Sequence, residues 1–459
     1  MPEQIIFYAR QQREKFVDDL KKYLAIPSVS AQPEHARDVR YTALWLCDHL
    51  RDIGLRADVM ETGGHPAVFA QWANNDPHRP TVLIYGHYDV QPAEPYDLWH
   101  SDPFTPTVRD GAIYARGVCD NKGQHMAHVK AVEAYLEHQG TLPVNIKFLI
   151  EGEEEIGTPN LGLFIEKHKD LLACDVVMIS DSSLYSPDQP TLLYALRGLV
   201  YFEVEARCAA HDLHSGSYGG NVQNPAMALA QILAQLKDAQ GHGSVPGFYD
   251  DLRVLSAAER AELAHIPVNE DNIRTEAGVS QAFGEPGYSV IERMGARPTL
   301  EINGLWSGYT GLGAKTVIPA TAHAKISCRL VPDQDPLKVY EGVRSYMQSL
   351  TPASTTLSFT ILQEGTPGTL IDRNVPQVQA AARAAGATYG NPPVFTLEGG
   401  SIPVVNDFQR VLNKPIVLLG FGLPGDNVHA PDEHFALACY EKGIEASIRF
   451  IHELGLAGK

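Results

Sequence analysis

Residues Thr81–Asp89 read TVLIYGHYD. The run Val82–Tyr85 (VLIY) is apolar, Gly86 breaks it, and His87 and Asp89 follow at once. A short apolar run stopped by glycine predicts a strand buried on both faces, as in parallel sheets. Three more runs end in the same way. Val144–Ile150 leads into Glu151-Gly152-Glu153-Glu154-Glu155, Asp175–Ile179 into Ser180-Asp181, and Ile416–Leu419 into a loop carrying Asp426-Asn427-Val428-His429. Ala67–Trp72 is a fifth strand-like run. Helical patterns lie at Gln11–Ala25, Ala36–Ile53, Gln124–His138, Leu161–Leu172, Val375–Ala385 and Ala438–Leu454. This alternation predicts a three-layer α/β/α domain with a mostly parallel sheet.

The pattern changes near residue 196. Leu199–Arg207 (LVYFEVEAR) alternates apolar and polar with period two, which predicts a half-buried antiparallel strand. Thr321–Val331 and Thr355–Leu362 are strand-like, with helices at Asn224–Lys237 and Ala257–Ala264. The expected organisation is therefore an α/β domain in two segments, 1–195 and 373–459, interrupted by an α+β domain at 196–372. The length of 459 residues suits two domains.

Composition limits the function. Asp plus Glu number 55 against 37 Lys plus Arg, a formal charge of −18. So acidic a chain is poorly suited to nucleic acid or an anionic membrane. The first 24 residues are interrupted by charges and have no signal-peptide core, and no apolar run reaches membrane-spanning length. The six cysteines are scattered with no C-x-x-C pair, which predicts free thiols and a cytoplasmic protein.

Ligands of open α/β sheets bind beyond the carboxyl ends of the strands. His87, Asp89, the Glu151–Glu155 cluster, Asp181 and His429 are thus expected on one rim. Asp120, in Ala115–Gly123 (ARGVCDNKG) just before a helix, is a further acidic candidate. Singly, each has an ordinary reading as a turn residue, helix cap or solvated charge. Together, two histidines and several carboxylates are a donor set for hard-to-borderline divalent metals. A bridging carboxylate can hold two ions about 3.5–4 Å apart, and one more carboxylate can serve as base.

Gly86–Val90, Arg116–Gly123 (RGVCDNKG) and Glu151–Gly157 (EGEEEIG) resemble the M20 family of metallopeptidases. Asp212–Gly216 (DLHSG), Gly313–Pro319 (GAKTVIP) and Glu398–Pro403 (EGGSIP) extend the match across nearly the whole chain, most closely to the dipeptidase branch. The resemblance implies hydrolysis of dipeptides or very short peptides with two divalent ions per subunit, zinc above all, with manganese or cobalt also suited. His87, Asp120, Glu155, Asp181 and His429 are implied as metal ligands, Asp120 bridging both ions and followed by a cis peptide. Asp89 would orient His87, and Glu154 would be the general base. The inserted domain resembles the family's lid and dimerisation domain, which implies a homodimer in which His214 reaches the partner's site. Arg329 would clamp the substrate carboxylate. Glu398, Gly400, Ser401 and Asn303 would also lie at the substrate. One departure is that Gly368–Val375 (GTLIDRNV) lacks the histidine of the mammalian dipeptidases, leaving Arg373 or Asn374 as candidate replacements. An N-acyl amino-acid amidohydrolase or a carboxypeptidase of the same family is the alternative. A non-catalytic binding protein is disfavoured, because every expected ligand is present.

Overall fold

The computed structural model describes residues 2–72, 76–400 and 402–457. The chain forms two compact units. The first comprises 1–194, 371–395 and 403–459, and the second 195–370 and 396–402. The expectation had put 396–402 in the catalytic segment, whereas its contacts group it with the second unit.

The sheet of the first unit runs Leu55–Met60, Ala67–Trp72, Asn145–Glu151, Thr81–His87, Val176–Ile179, Ile416–Leu418, then Thr191–Leu196. The four strands from Asn145–Glu151 to Ile416–Leu418 are mutually parallel, with antiparallel partners on both sides. Thr81–His87 is buried from Val82 onward, which is why its sequence is a continuous apolar run rather than an alternation.

Neighbouring residues of that strand meet opposite layers. The Tyr85 ring packs edge-on against Phe408 of helix Pro403–Leu412, with centroids 5.6 Å apart. Gly86 faces His125 of helix Gly123–Gln139 so closely that a Cβ there would stand 2.6 Å from the His125 Cβ. Only a residue without a side chain admits that approach. The same helix is buried along its entire first part, Gly123–Tyr135, so it shows no amphipathic stripe and forms the middle of its layer. The helix expected at Gln11–Ala25 is Arg13–Leu24, and a further helix, Pro2–Gln11, precedes it.

The second unit holds a four-stranded antiparallel sheet in the order Thr299–Ser307, Thr321–Leu330, Gly198–Arg207, Thr356–Thr366. Burial alternates residue by residue along Gly198–Arg207 and Thr321–Leu330, as the period-two pattern requires. Val200, Phe202, Val204, Ala324, Ile326 and Cys328 face a core shared with Leu229 and Ile232 of helix Pro225–Leu233 and Val343 and Met347 of helix Pro336–Ser349. All six cysteines are free thiols. Among the described residues, no helix is long and apolar enough to cross a membrane.

Candidate metal centre

The strand ends deliver their polar residues to one place in the first unit. His87 is the last residue of its strand and fully buried. Its Nε2 lies 3.0 Å from Asp120 Oδ1 and 3.8 Å from Asp181 Oδ2. His429 Nε2 lies 2.8 Å from the other Asp120 oxygen, Oδ2, and 3.4 Å from Glu155 Oε2. Two groups thus share Asp120: His87, Asp120 and Asp181, and Asp120, Glu155 and His429. In each, the candidate ligand atoms lie within 4.8 Å of one another. One carboxylate oxygen faces each imidazole, the disposition a bridging ligand needs.

The charge balance around these groups fits a bound cation. Burial, then the Asp120 charge, pushes the Asp181 carboxyl up to about 7. Burial raises Glu155 and lifts Glu154 far above the carboxylate range, with Asp181, Asp120 and Glu155 adding to it. Hydrogen bonds to Asp120 and Glu155 raise His429 to about 10. Without an ion, the cluster must hold protons to offset its crowded acids. Dications would relieve the same repulsion with the carboxylates ionised, and the histidine–carboxylate donor set suits them.

The acidic run after Asn145–Glu151 divides by partner. Glu151 Oε1 accepts the Tyr85 hydroxyl at 2.6 Å. Glu153 is held by Asn160 Nδ2 and the His65 backbone N–H. Glu154 and Glu155 remain at the cluster. Asp89, fully buried, fixes them: it accepts the N–H of Glu154 at 3.2 Å and of Glu155 at 3.1 Å, and the Ser30 hydroxyl at 2.7 Å. His87 Nδ1 is 3.1 Å from the Asp89 backbone carbonyl and 3.4 Å from its carboxylate Oδ1, so the main chain and the side chain of that residue both bear on the imidazole.

Sequence reading missed three supporting residues. Ser30 is one. Asn121 donates to Asp181 Oδ1 at 2.9 Å and to the Ser180 carbonyl at 2.6 Å, across the cis peptide 120–121. Gln91 donates to Glu155 Oε2 at 2.8 Å. Each is a single polar residue whose partner lies about sixty residues away, a distance over which no local spacing signals a contact.

The remaining predicted residues belong to the second unit. His214 is exposed, in a two-residue strand paired with Val317–Ile318. Its Nδ1 accepts the Gly216 N–H at 3.0 Å, which leaves the proton of a neutral ring on Nε2. Arg329 lines a pocket of about 480 Å³ with Asn303, Ser327, Glu301 and a residue not foreseen, Arg197. Asn303 is the extra residue of a bulge between Ile302 and Gly304, a feature that re-aims a side chain. Burial, then the Arg329 charge, lowers Arg197 to about 10, opposed by Glu398. Arg197 Nε donates to the Gly399 carbonyl at 3.2 Å, and Glu398 Oε1 accepts the N–H of Gly399 and of Gly400. Ser401 lies outside the described residues. In the first unit, the Arg373 guanidinium stacks on Tyr194 and Phe395 at 5.3 and 5.6 Å.

The chain is similar to known peptidases along nearly its whole length. The Cys-Gly metallodipeptidase of Schizosaccharomyces pombe is 32% identical over 460 residues, covering 97% of this chain and 96% of that one. Human carnosine dipeptidase 1 superposes with a TM-score of 0.85 at 31% identity, over 99% of both chains. The M20 family metallo-carboxypeptidase Sso-CP2 of Sulfolobus solfataricus superposes with a TM-score of 0.85 at 33% identity, over 96% of this chain and 99% of that one. Residues 83–453 match the model of peptidase family M20/M25/M40, and with the shared-aspartate cluster in place the chain belongs to that family.

Proposed function

We propose that this protein is a dinuclear metallodipeptidase that hydrolyses the peptide bond of dipeptides or very short peptides. The observation that carries the reading is the pair of ligand groups joined through Asp120, with Glu154 beside them. The similarity to a Cys-Gly metallodipeptidase and to carnosine dipeptidase 1 supports it. His87, Asp120 and Asp181 would hold one divalent ion, and Asp120, Glu155 and His429 the other. Zinc is our first assignment, with manganese or cobalt also suited to the donors. When bound, the ions polarise the scissile carbonyl and activate the attacking water.

The chain supplies the rest. Glu154 takes the proton of that water and returns it to the leaving nitrogen. Asp89 keeps His87 and the Glu154–Glu155 backbone in register. Arg329 grips the substrate's carboxylate, for which a planar guanidinium is the better match. Glu398, Gly400, Ser401 and Asn303 contribute to the substrate site. His214 donates from Nε2 to the developing oxyanion, in the site of the partner subunit of a cytoplasmic homodimer.

The similarity to Sso-CP2 favours one second reading, a carboxypeptidase. A panel of free and N-acetylated dipeptides, assayed alongside metal analysis, separates the two. A dipeptidase requires the free amine, and equal turnover of the acetylated substrates would overturn that assignment.

A further inference from the structure

We infer that Glu433 is a positioning residue of this centre, which locks the segment carrying Asp120 to the loop carrying His429. The inference rests on the metallopeptidase reading above.

Glu433 is 1% exposed. Its Oε2 accepts Arg116 Nη1 and the Gly117 N–H, both at 2.8 Å. Its Oε1 accepts the N–H of Cys119 at 2.9 Å and of Asp120 at 3.2 Å. The Glu433 carbonyl accepts the Ala115 N–H at 3.2 Å. One residue therefore receives a donor from nearly every position between 115 and 120, ending on Asp120 itself. A buried carboxylate needing only a counter-charge would be served by Arg116 alone. Three backbone N–H groups instead specify where the chain of residues 117–120 lies.

The His429 side of the lock needs such support. Asn427, His429 and Asp432 have φ of 54°, 63° and 57°, in the left-handed region, which is uncommon outside glycine although Asn, His and Asp enter it more readily than other residues. Such a conformation persists where the surroundings over-determine it. Here the loop is closed at its base by the His434 N–H on the Asp426 carbonyl, at 3.0 Å. It is held to the other segment at both ends, by Glu433 and by Cys119 Sγ on Asp426 Oδ2 at 3.3 Å. Asp120 and His429, 2.8 Å apart, belong to two segments that are not neighbours in sequence. Glu433 fixes their separation, and with it the second ligand group. Arg116, 1% exposed, lies over the Trp99 ring and has no hydrogen-bond partner at Nε or Nη2 among the described residues. Its role is to neutralise Glu433.

The test compares Glu433→Gln with Arg116→Lys in the full-length protein, stripped of metal and titrated with zinc against a chromophoric chelator. Glutamine keeps the volume but turns an amide NH₂ toward the donors. Lysine keeps the charge and leaves all three backbone bonds. Glu433→Gln is expected to bind at least one zinc about 10–100-fold more weakly, with kcat recovering in excess zinc and KM for a dipeptide unchanged. Arg116→Lys is expected to bind zinc as the wild type does. Wild-type zinc affinity in Glu433→Gln, or equal losses in both variants, would overturn the positioning role. Should Glu433→Gln fail to fold, Glu433→Asp takes its place: its shorter arm keeps the charge and withdraws from the backbone. Failure of the wild type to bind two ions would overturn the metallopeptidase reading as well, whereas a failure confined to the variants overturns only the role of Glu433.

Discussion

The carboxylate of Asp89 accepts the backbone N–H of Glu154 at 3.2 Å, so the residue beside His87 also sets the position of the proposed base. Asparagine at this site would turn an NH₂ toward one of three donors: the Ser30 hydroxyl or the N–H of Glu154 or Glu155. Asp89→Asn is expected to lower metal affinity or kcat about 10–100-fold. Zinc titration and steady-state kinetics on the folded variant check this.

Glu154→Gln removes the base and leaves every proposed ligand in place. The expected result is full metal content, KM within a few-fold of wild type, and kcat reduced about 10²–10⁴-fold. Near-normal turnover would exclude Glu154 as the base.

Metal removal has a stability signature. Stripping the ions leaves Asp181, Glu154 and Glu155 crowded together in a buried cluster. Each ion present at a hundred times its Kd is expected to add about 2.7 kcal/mol. Thermal melts with and without chelator should therefore separate by several degrees, and activity should return when metal is restored. Coincident melts would count against a site formed by the folded chain.

The proposed reach of His214 into a partner's site can be tested by mixing. Glu154→Gln and His214→Ala homodimers should each be nearly inactive. After unfolding together and reassembly, half of the dimers are mixed, and each mixed dimer has one intact site. About a quarter of wild-type activity is then expected. No recovery would mean that His214 acts within its own subunit.

Glu151 provides a pH test outside the ligand set. Burial pushes its carboxyl up to about 8, against 4.5 for the ordinary group. The folded protein therefore holds a proton that the unfolded chain releases, and stability falls as pH rises between those values. The loss is on the order of 4 kcal/mol by pH 8. Glu151→Gln, uncharged throughout, should lose less over that interval. Urea midpoints of both proteins at pH 5 and pH 8, with metal saturating, measure the difference.

The sheet was legible because its central strands are buried on both faces and end in glycine or charge, as Thr81–Asp89 shows. The strand Thr299–Ser307 was not, because most of it is exposed and a bulge at Asn303 breaks its alternation. At the centre, residue types and strand ends brought His87, Asp120, Asp181 and His429 into consideration. Local sequence could not distinguish Glu151 and Glu153, taken up by Tyr85, His65 and Asn160, from Glu154 and Glu155 at the cluster. The resemblance supplied that register. Arg197 was passed over because one arginine between two apolar runs carries no spacing pattern. Its neighbours Arg329 and Gly399 become visible only when the strands are paired.

The insertion also gives the two ligand groups different timetables. His87, Asp120 and Asp181 all precede residue 195, whereas the group with Asp120 and Glu155 is completed only by His429. A ribosome working from the amino end makes the first group before any of the inserted unit exists. The second must wait for more than two hundred further residues. A product terminated anywhere within the insert would carry a full set for one ion and a partial set for the other.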